Sequence, residues 1–192
     1  MINRLSHIIK FFAAVIGCIF LYACENDMKD VEKFSKKEIS VEEGKQIESF
    51  LSNGGVLRAR LKAPIFLRYQ TQVPKVEFPK TLQVDFYDST RNIESKLFAD
   101  YGEYKENANL IYLRDNVVVF NIKGDTLLTN ELYWDQNKQL FYNDKPTTII
   151  QSSPKQRIVS KNGLTATQDL SRFSLKDLEP GSFIIIPDST YQ

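Results

Sequence analysis

The feature that most limits what this chain can fold into is a slip of hydrophobic phase that recurs thirty residues apart (127 − 97 = 30). In Leu97-Phe98-Ala99-Asp100-Tyr101-Gly102-Glu103-Tyr104, Leu97 and Ala99 share one parity while Gly102 and Tyr104 take the other. In Leu127-Leu128-Thr129-Asn130-Glu131-Leu132-Tyr133-Trp134, Leu127 and Thr129 precede Leu132 and Trp134 in the same way. Strand side chains alternate between faces, so a slipped parity sends the second half outward unless the backbone bends or bulges between the halves. A bend at Asp100 and at Asn130 lets both halves of each copy face one interior. Leu110 and Leu140 each follow thirteen residues after the start of their copies, and residues 117–120 correspond to residues 147–150. A weaker third copy is read from Val159, with Asn162 in the place of Asp100 and Asn130. Residues 57–60 read as a degenerate first copy, followed by an insertion over 69–80 that carries Pro74 and Pro79. Units of two or three short strands cannot bury an apolar face alone, whereas stacked copies build a continuous core.

Other segments fit the same picture. Leu57-Arg58-Ala59-Arg60-Leu61-Lys62-Ala63 alternates apolar and basic residues before Pro64, and Leu82-Gln83-Val84-Asp85-Phe86 alternates before a turn signal at Asp88-Ser89. Val117-Val118-Val119-Phe120 is β-branched and aromatic, and Phe183-Ile184-Ile185-Ile186 before Pro187 predicts a last strand. No window beyond the charged stretch that ends at residue 48 keeps a helical period, so the fold class is all-β.

The N-terminus has a different character. A short basic region with Arg4 and Lys10 precedes residues 11–23, which carry no charge. Thirteen residues are too few for a membrane span, which needs roughly 20, and suit the apolar region of a secretory signal. Leu21-Tyr22-Ala23-Cys24 resembles the lipobox of bacterial lipoproteins, with Tyr22 departing from the small residue usual at its position. That resemblance implies cleavage after residue 23 and acylation of Cys24, with two or more chains giving a stable anchor. An uncleaved transmembrane anchor is the alternative. Residues 24–48 are charged and read as a tether, residues 49–188 as the folded domain, and 189–192 as a tail.

Cleavage confines chemistry sharply. Both cysteines, Cys18 and Cys24, and the only histidine, His7, lie in the leader or at its cut site. The remaining 192 − 23 = 169 residues hold 25 − 2 = 23 basic and 24 acidic side chains. Such a domain has no disulfide, no thiol or imidazole catalyst and no zinc ligand set. Its balance of charge predicts no nucleic-acid partner. Carboxylate pairs alone would be left for catalysis, and with so many acids they carry no specificity. The expectation is a non-enzyme without cofactor or metal.

With the repeat in view, the chain resembles the LptC family of lipopolysaccharide export components, in the small lipoprotein form of Bacteroidetes-type bacteria. The resemblance rests on residues 57–64, Phe78-Pro79-Lys80, Val84-Asp85-Phe86-Tyr87-Asp88, Ala99-Asp100-Tyr101-Gly102, Asp115-Asn116-Val117-Val118-Val119, residues 127–135 and residues 163–169. It implies an open, elongated β-jellyroll, a folded-over antiparallel sheet with an apolar interior. It further implies attachment to the periplasmic side of the inner membrane, receipt of lipopolysaccharide from an ABC transporter's periplasmic β-domain, and transfer to an LptA-like bridge protein. Lipid transport breaks no bond, and each acyl CH₂ kept from water is worth ~0.8 kcal/mol. The inward, lipid-binding candidates are Leu57, Ala59, Leu61, Leu82, Val84, Phe86, Leu97, Ala99, Tyr104, Val117, Val119, Leu132, Trp134 and Phe183, with Arg58 turned away from the lipid. Family behaviour places one partner edge at Val56, Arg58, Arg60 and Lys62, and the other at Ile184, Ile185 and Ile186. A competing reading is an envelope β-domain that binds polysaccharide or protein on an aromatic platform of Tyr69, Tyr87, Tyr112, Tyr133 and Trp134.

Overall fold

A computed structural model describes residues 40–180 together with 182 and 185. Thirteen strands form a single antiparallel sheet. They are β1 (Val41–Asn53), β2 (Val56–Tyr69), β3 (Lys75–Phe78), β4 (Leu82–Tyr87), β5 (Ile93–Ala99), β6 (Tyr101–Lys105), β7 (Leu110–Asn121), β8 (Thr126–Asp135), β9 (Leu140–Tyr142), β10 (Thr147–Ser152), β11 (Lys155–Ser160), β12 (Leu164–Thr167) and β13 (Phe173–Leu175).

A crease divides the sheet into two rows. One runs from the first half of β2 through β4, β5, the second half of β7, the first half of β8 and β10 to β11. The other runs from the second half of β2 through β3, β6, the first half of β7, the second half of β8, β9 and β12 to β13. At the crease β5 gives way to β6 at Asp100, β7 slips register between Arg114 and Val117, and Asp115 and Asn116 take positive φ of 64° and 49°. Asn and Asp tolerate that left-handed region better than most residues, and here they bond across it: Asn116 Nδ2 donates to Asp100 Oδ2 at 2.6 Å.

The two rows face one another. Phe86 from the first row sets its ring edge-on to Trp134 at 4.8 Å and to Phe141 at 5.7 Å, both from the second. Leu97, Ala99 and Gly102 are buried, as are Leu127, Thr129, Leu132 and Trp134, so the phase slip turns both halves of each copy inward. In the third copy the inward residues are Ile158 and Ser160 rather than Val159, because the bend before Leu164 is one residue longer. This is the folded-over all-β jellyroll that the resemblance implies, built from the bent, stacked strand units that the repeat predicts.

The domain begins earlier than the charge pattern indicates. Residues 41–48, read as the end of a tether, are the first part of β1, paired with β2 from Val41 opposite Tyr69 to Asn53 opposite Val56. β1 has a neighbour on one side only and stands mostly in solvent, and edge strands carry charge to discourage pairing with other chains. Cys24, residues 1–39 and the tail 189–192 lie outside the described residues. At the other end Ser182 and Ile185 are in no strand, while Phe183, Ile184 and Ile186 lie outside the described residues; the last described strand is β13.

On the outer face of the first row, Arg60, Asp85 and Lys96 stand side by side on β2, β4 and β5. Burial disfavours the Asp85 carboxylate, yet hydrogen bonds from Arg60 at 2.7 Å and Gln83 at 3.1 Å, with the charge of Lys96 at 3.5 Å, hold it below the usual carboxylate range. A depressed folded pKa contributes stability above the unfolded value, and that contribution disappears as pH falls through the folded pKa. Asp85→Asn should therefore be less stable than the wild type by about 1–2 kcal/mol at neutral pH. The gap should close once acid protonates Asp85 itself. Urea unfolding from neutral to acidic pH checks this, and a gap that stays constant in acid would refute it.

Candidate lipid-binding groove

Most of the inward candidates are packed solid. Ala59, Leu61, Leu82, Val84, Phe86, Leu97, Ala99, Val117, Val119, Leu132 and Trp134 are at most 3% exposed, and Leu57 and Tyr104 are half-buried. Phe183 lies outside the described residues. Only a few of the candidates border open space.

That space adjoins the N-terminal hairpin. A cavity of about 210 Å³ is walled by Ile47, Ser49 and Leu51 of β1, by Leu61, Phe66 and Arg68 of β2, by Val76 and Phe78 of β3, and by Tyr104, Glu106, Ile111 and Gln136. Its lining is chiefly apolar, with Phe66 and Phe78 tilted together at 6.2 Å and the Arg68–Glu106 ion pair, 2.9 Å, on its wall. A second cavity of about 390 Å³ shares Leu51, Tyr104 and Gln136 with the first. It adds Ser52, Asn53, Arg58, Ala59, Asn109, Trp134, Asn137, Gln139 and Gln168, so its wall is mainly polar. A hollow of about 500 Å³ takes in Leu82 and Phe98, with Gln46, Glu48, Lys62, Thr81 and Gln83 making half its wall.

Leu61 and Tyr104 thus line the apolar cavity, and Ala59, Tyr104 and Trp134 the polar one. Ile47, Leu51, Phe66, Val76, Phe78 and Ile111 were not among the inward candidates. Ile47 and Leu51 share a parity across Ser49, but the surrounding charge hides them. Arg58, expected outside, borders the polar cavity, because the β1–β2 register slips there: Leu51 opposes Ala59 and Ser52 opposes Leu57. The unopposed residue of a bulge is re-aimed relative to its neighbours.

The segment after β12, which contributes Gln168 to the polar cavity, is tied to β5 and β7. Ser95 Oγ donates to the Gln168 carbonyl at 2.7 Å, Asn121 Nδ2 to the Asp169 carbonyl at 3.0 Å, and Gln168 Nε2 to Glu94 Oε1 at 3.1 Å. Glu94 is itself a bulge residue, left between Ser95 opposite Phe86 and Ile93 opposite Tyr87. Burial pushes its carboxyl up, while Arg58 pulls the other way. Arg58 Nε, Trp134 Nε1 and Gln136 Nε2 are buried without a partner among the described residues. A buried donor left unmade costs about 1–3 kcal/mol.

The partner-edge residues are placed differently from expectation. β2 is no edge: Arg60 and Lys62 have β1 on one side and β4 on the other. Arg60 and Lys62 also meet Glu48 of β1 at 3.6 and 3.5 Å. Val56 faces Asn53 across the hairpin, and the free N-terminal edge belongs to β1. Ile185 is exposed, and its N–H donates to the Gln156 side chain at 2.8 Å. The five aromatic residues of the competing reading do not form one platform. Tyr112, Tyr133 and Tyr142 stack across β7, β8 and β9 at 5.1 and 5.3 Å. Trp134, next along the strand from Tyr133, points into the interior. Tyr69 is bonded to Glu77 at the far end of β2.

Among the described residues no group of three His, Cys, Asp or Glu is placed to hold a metal, and no helix is long and apolar enough to cross a membrane. A creased antiparallel sheet closed over an apolar interior, with an apolar and a polar cavity side by side, defines a folded-over β-jellyroll. The chain matches the family model for LptC-related lipopolysaccharide-assembly proteins over residues 11–177, and it belongs to that family. The family makes it a component of lipopolysaccharide transport. No curated protein matches it.

Proposed function

We propose that this protein, held to the periplasmic face of the inner membrane by acyl chains on Cys24, receives lipopolysaccharide from an ABC transporter and passes it to an LptA-like bridge protein. The apolar cavity beneath β1 is the observation that carries this reading. At about 210 Å³ it is smaller than the roughly 300–1,000 Å³ of ordinary ligand sites. Loading therefore needs movement, and β1 is the cheapest element to move because it pairs with β2 alone. The free edge of β1 is the natural landing strand for the transporter's β-domain, and the free edge of β13 for the bridge, since unpaired edges recruit strands.

A photo-crosslinker placed at Leu51 or Phe66 should capture lipopolysaccharide in the envelope. One at Phe98, an exposed aromatic on the outer face, should not. Equal capture at all three positions would remove the basis for an interior path.

A further inference from the structure

Three residues that each carry an unpartnered buried donor line the polar cavity. Arg58, Trp134 and Gln136 all line it, and these three account for every buried side-chain nitrogen or oxygen left without a hydrogen-bond partner among the described residues. Each comes from a different local cause. Arg58 is the unopposed residue of the β1–β2 bulge. Trp134 is the inward residue at the end of β8 and is only 3% exposed. Gln136 follows β8, where its backbone N–H is held by the Asn109 carbonyl at 3.1 Å. An indole N–H, a guanidinium N–H and an amide NH₂ can only donate, so the partner they lack is an acceptor.

The guanidinium adds a sign to that requirement. Glu94, whose carboxyl feels the Arg58 charge, takes its hydrogen bond from Gln168 and forms no ion pair with Arg58 among the described residues. An anion would gain charge-assisted hydrogen bonds from Arg58. Three donors, one from β2 and two from the end of β8 and the residue that follows it, match the three acceptor oxygens of a phosphate monoester better than the two of a carboxylate. The apolar cavity next door shares Leu51 and Tyr104 with this one, so a head group here would leave its acyl chains at the apolar wall.

We propose that Arg58, Trp134 and Gln136 form a binding site for a phosphate monoester on the head of the transported lipid, which orients the lipid with its chains in the adjoining cavity. The assignment of the phosphate to a lipid rests on the carrier function proposed above; the anion site itself does not.

Trp134 is the only tryptophan in the chain, so its emission reports on this cavity directly. The full-length protein in mild detergent is titrated with lipid A carrying its phosphates, with lipid A from which they have been removed, and with inorganic phosphate. The wild type should bind the phosphorylated lipid at least about tenfold more tightly than the dephosphorylated one, about 1.4 kcal/mol. Arg58→Met should lose that preference and keep the affinity for the dephosphorylated lipid. Wild-type binding of both lipids with equal affinity would overturn the anion site and leave the carrier reading standing, as would an undiminished preference in Arg58→Met. Should Arg58→Met fail to fold by circular dichroism, Gln136→Met is judged by the same criterion. Binding of neither lipid would overturn the carrier reading. The anion site would then stand only if inorganic phosphate changed Trp134 emission in the wild type and not in the variant, and would fall otherwise. Inorganic phosphate binding as tightly as the phosphorylated lipid would overturn the lipid assignment.

Discussion

Phe86→Ala should lower the unfolding free energy by about 3–5 kcal/mol, the usual cost of emptying a fully buried aromatic site. The ring is 0% exposed and lies between the two rows of the sheet. It meets Trp134 at 4.8 Å and 86°, and Phe141 at 5.7 Å and 72°. Edge-to-face pairs of this kind add about 0.5–1.5 kcal/mol beyond the area they bury. No backbone ladder joins β4 to β8 or β9, so these side chains are what bring one row onto the other. The loss is read from urea unfolding, followed through Trp134 emission, which should also shift to the red as water reaches the indole. A loss below about 1 kcal/mol would mean that the rows are held together elsewhere.

Gly163→Ala should cost about 3 kcal/mol or more for two reasons that act together. Gly163 has φ of +96°, a region that residues with a Cβ avoid. A Cβ there would also stand 2.2 Å from the Asn143 carbonyl oxygen and 2.7 Å from its carbon. Those atoms cannot step aside. Asn143 donates its side-chain amide to Thr129 Oγ1, the Glu131 carbonyl and Thr147 Oγ1, at 3.0, 2.7 and 2.9 Å. It accepts from the Leu164 N–H at 3.1 Å and donates its own N–H to the Leu164 carbonyl at 3.1 Å. Relieving the clash would undo the corner where β8, β9, β10 and β12 meet. Denaturant unfolding measures the effect, and a midpoint equal to the wild type would show that the corner can relax.

Much of this architecture was legible because the information is local. Alternation in residues 57–63 and 82–86 marks strands whatever their partners, and the slip at Asp100 and Asn130 signals a bend from residues a few positions apart. The inward set from Ala59 to Trp134 is buried for that reason. β1 was not legible: an edge strand needs no full apolar face, so its charge reads like that of a solvated tether. The N-terminal sheet edge was misplaced for the same reason, since β2 is basic on its outer side yet covered by β1. Arg58 obeys the alternation of its own strand on paper, and only the register against β1 creates the bulge that redirects it. The groove was hidden further still, because Ile47, Phe66, Val76 and Ile111 become neighbours only when β1, β2, β3 and β7 are assembled.

The division follows from the range of the interactions involved. By itself the sequence determined an all-β chain of bent, stacked strand units, and it confined every cysteine and histidine to residues 1–24. These are properties of side-chain period and residue type, set by neighbours along the chain. Tertiary structure alone decided which strand is the edge, where the apolar and polar cavities open, and which buried donors go without a partner. Register, bulges and the packing of one row on the other depend on residues far apart in sequence, so no local pattern contains them.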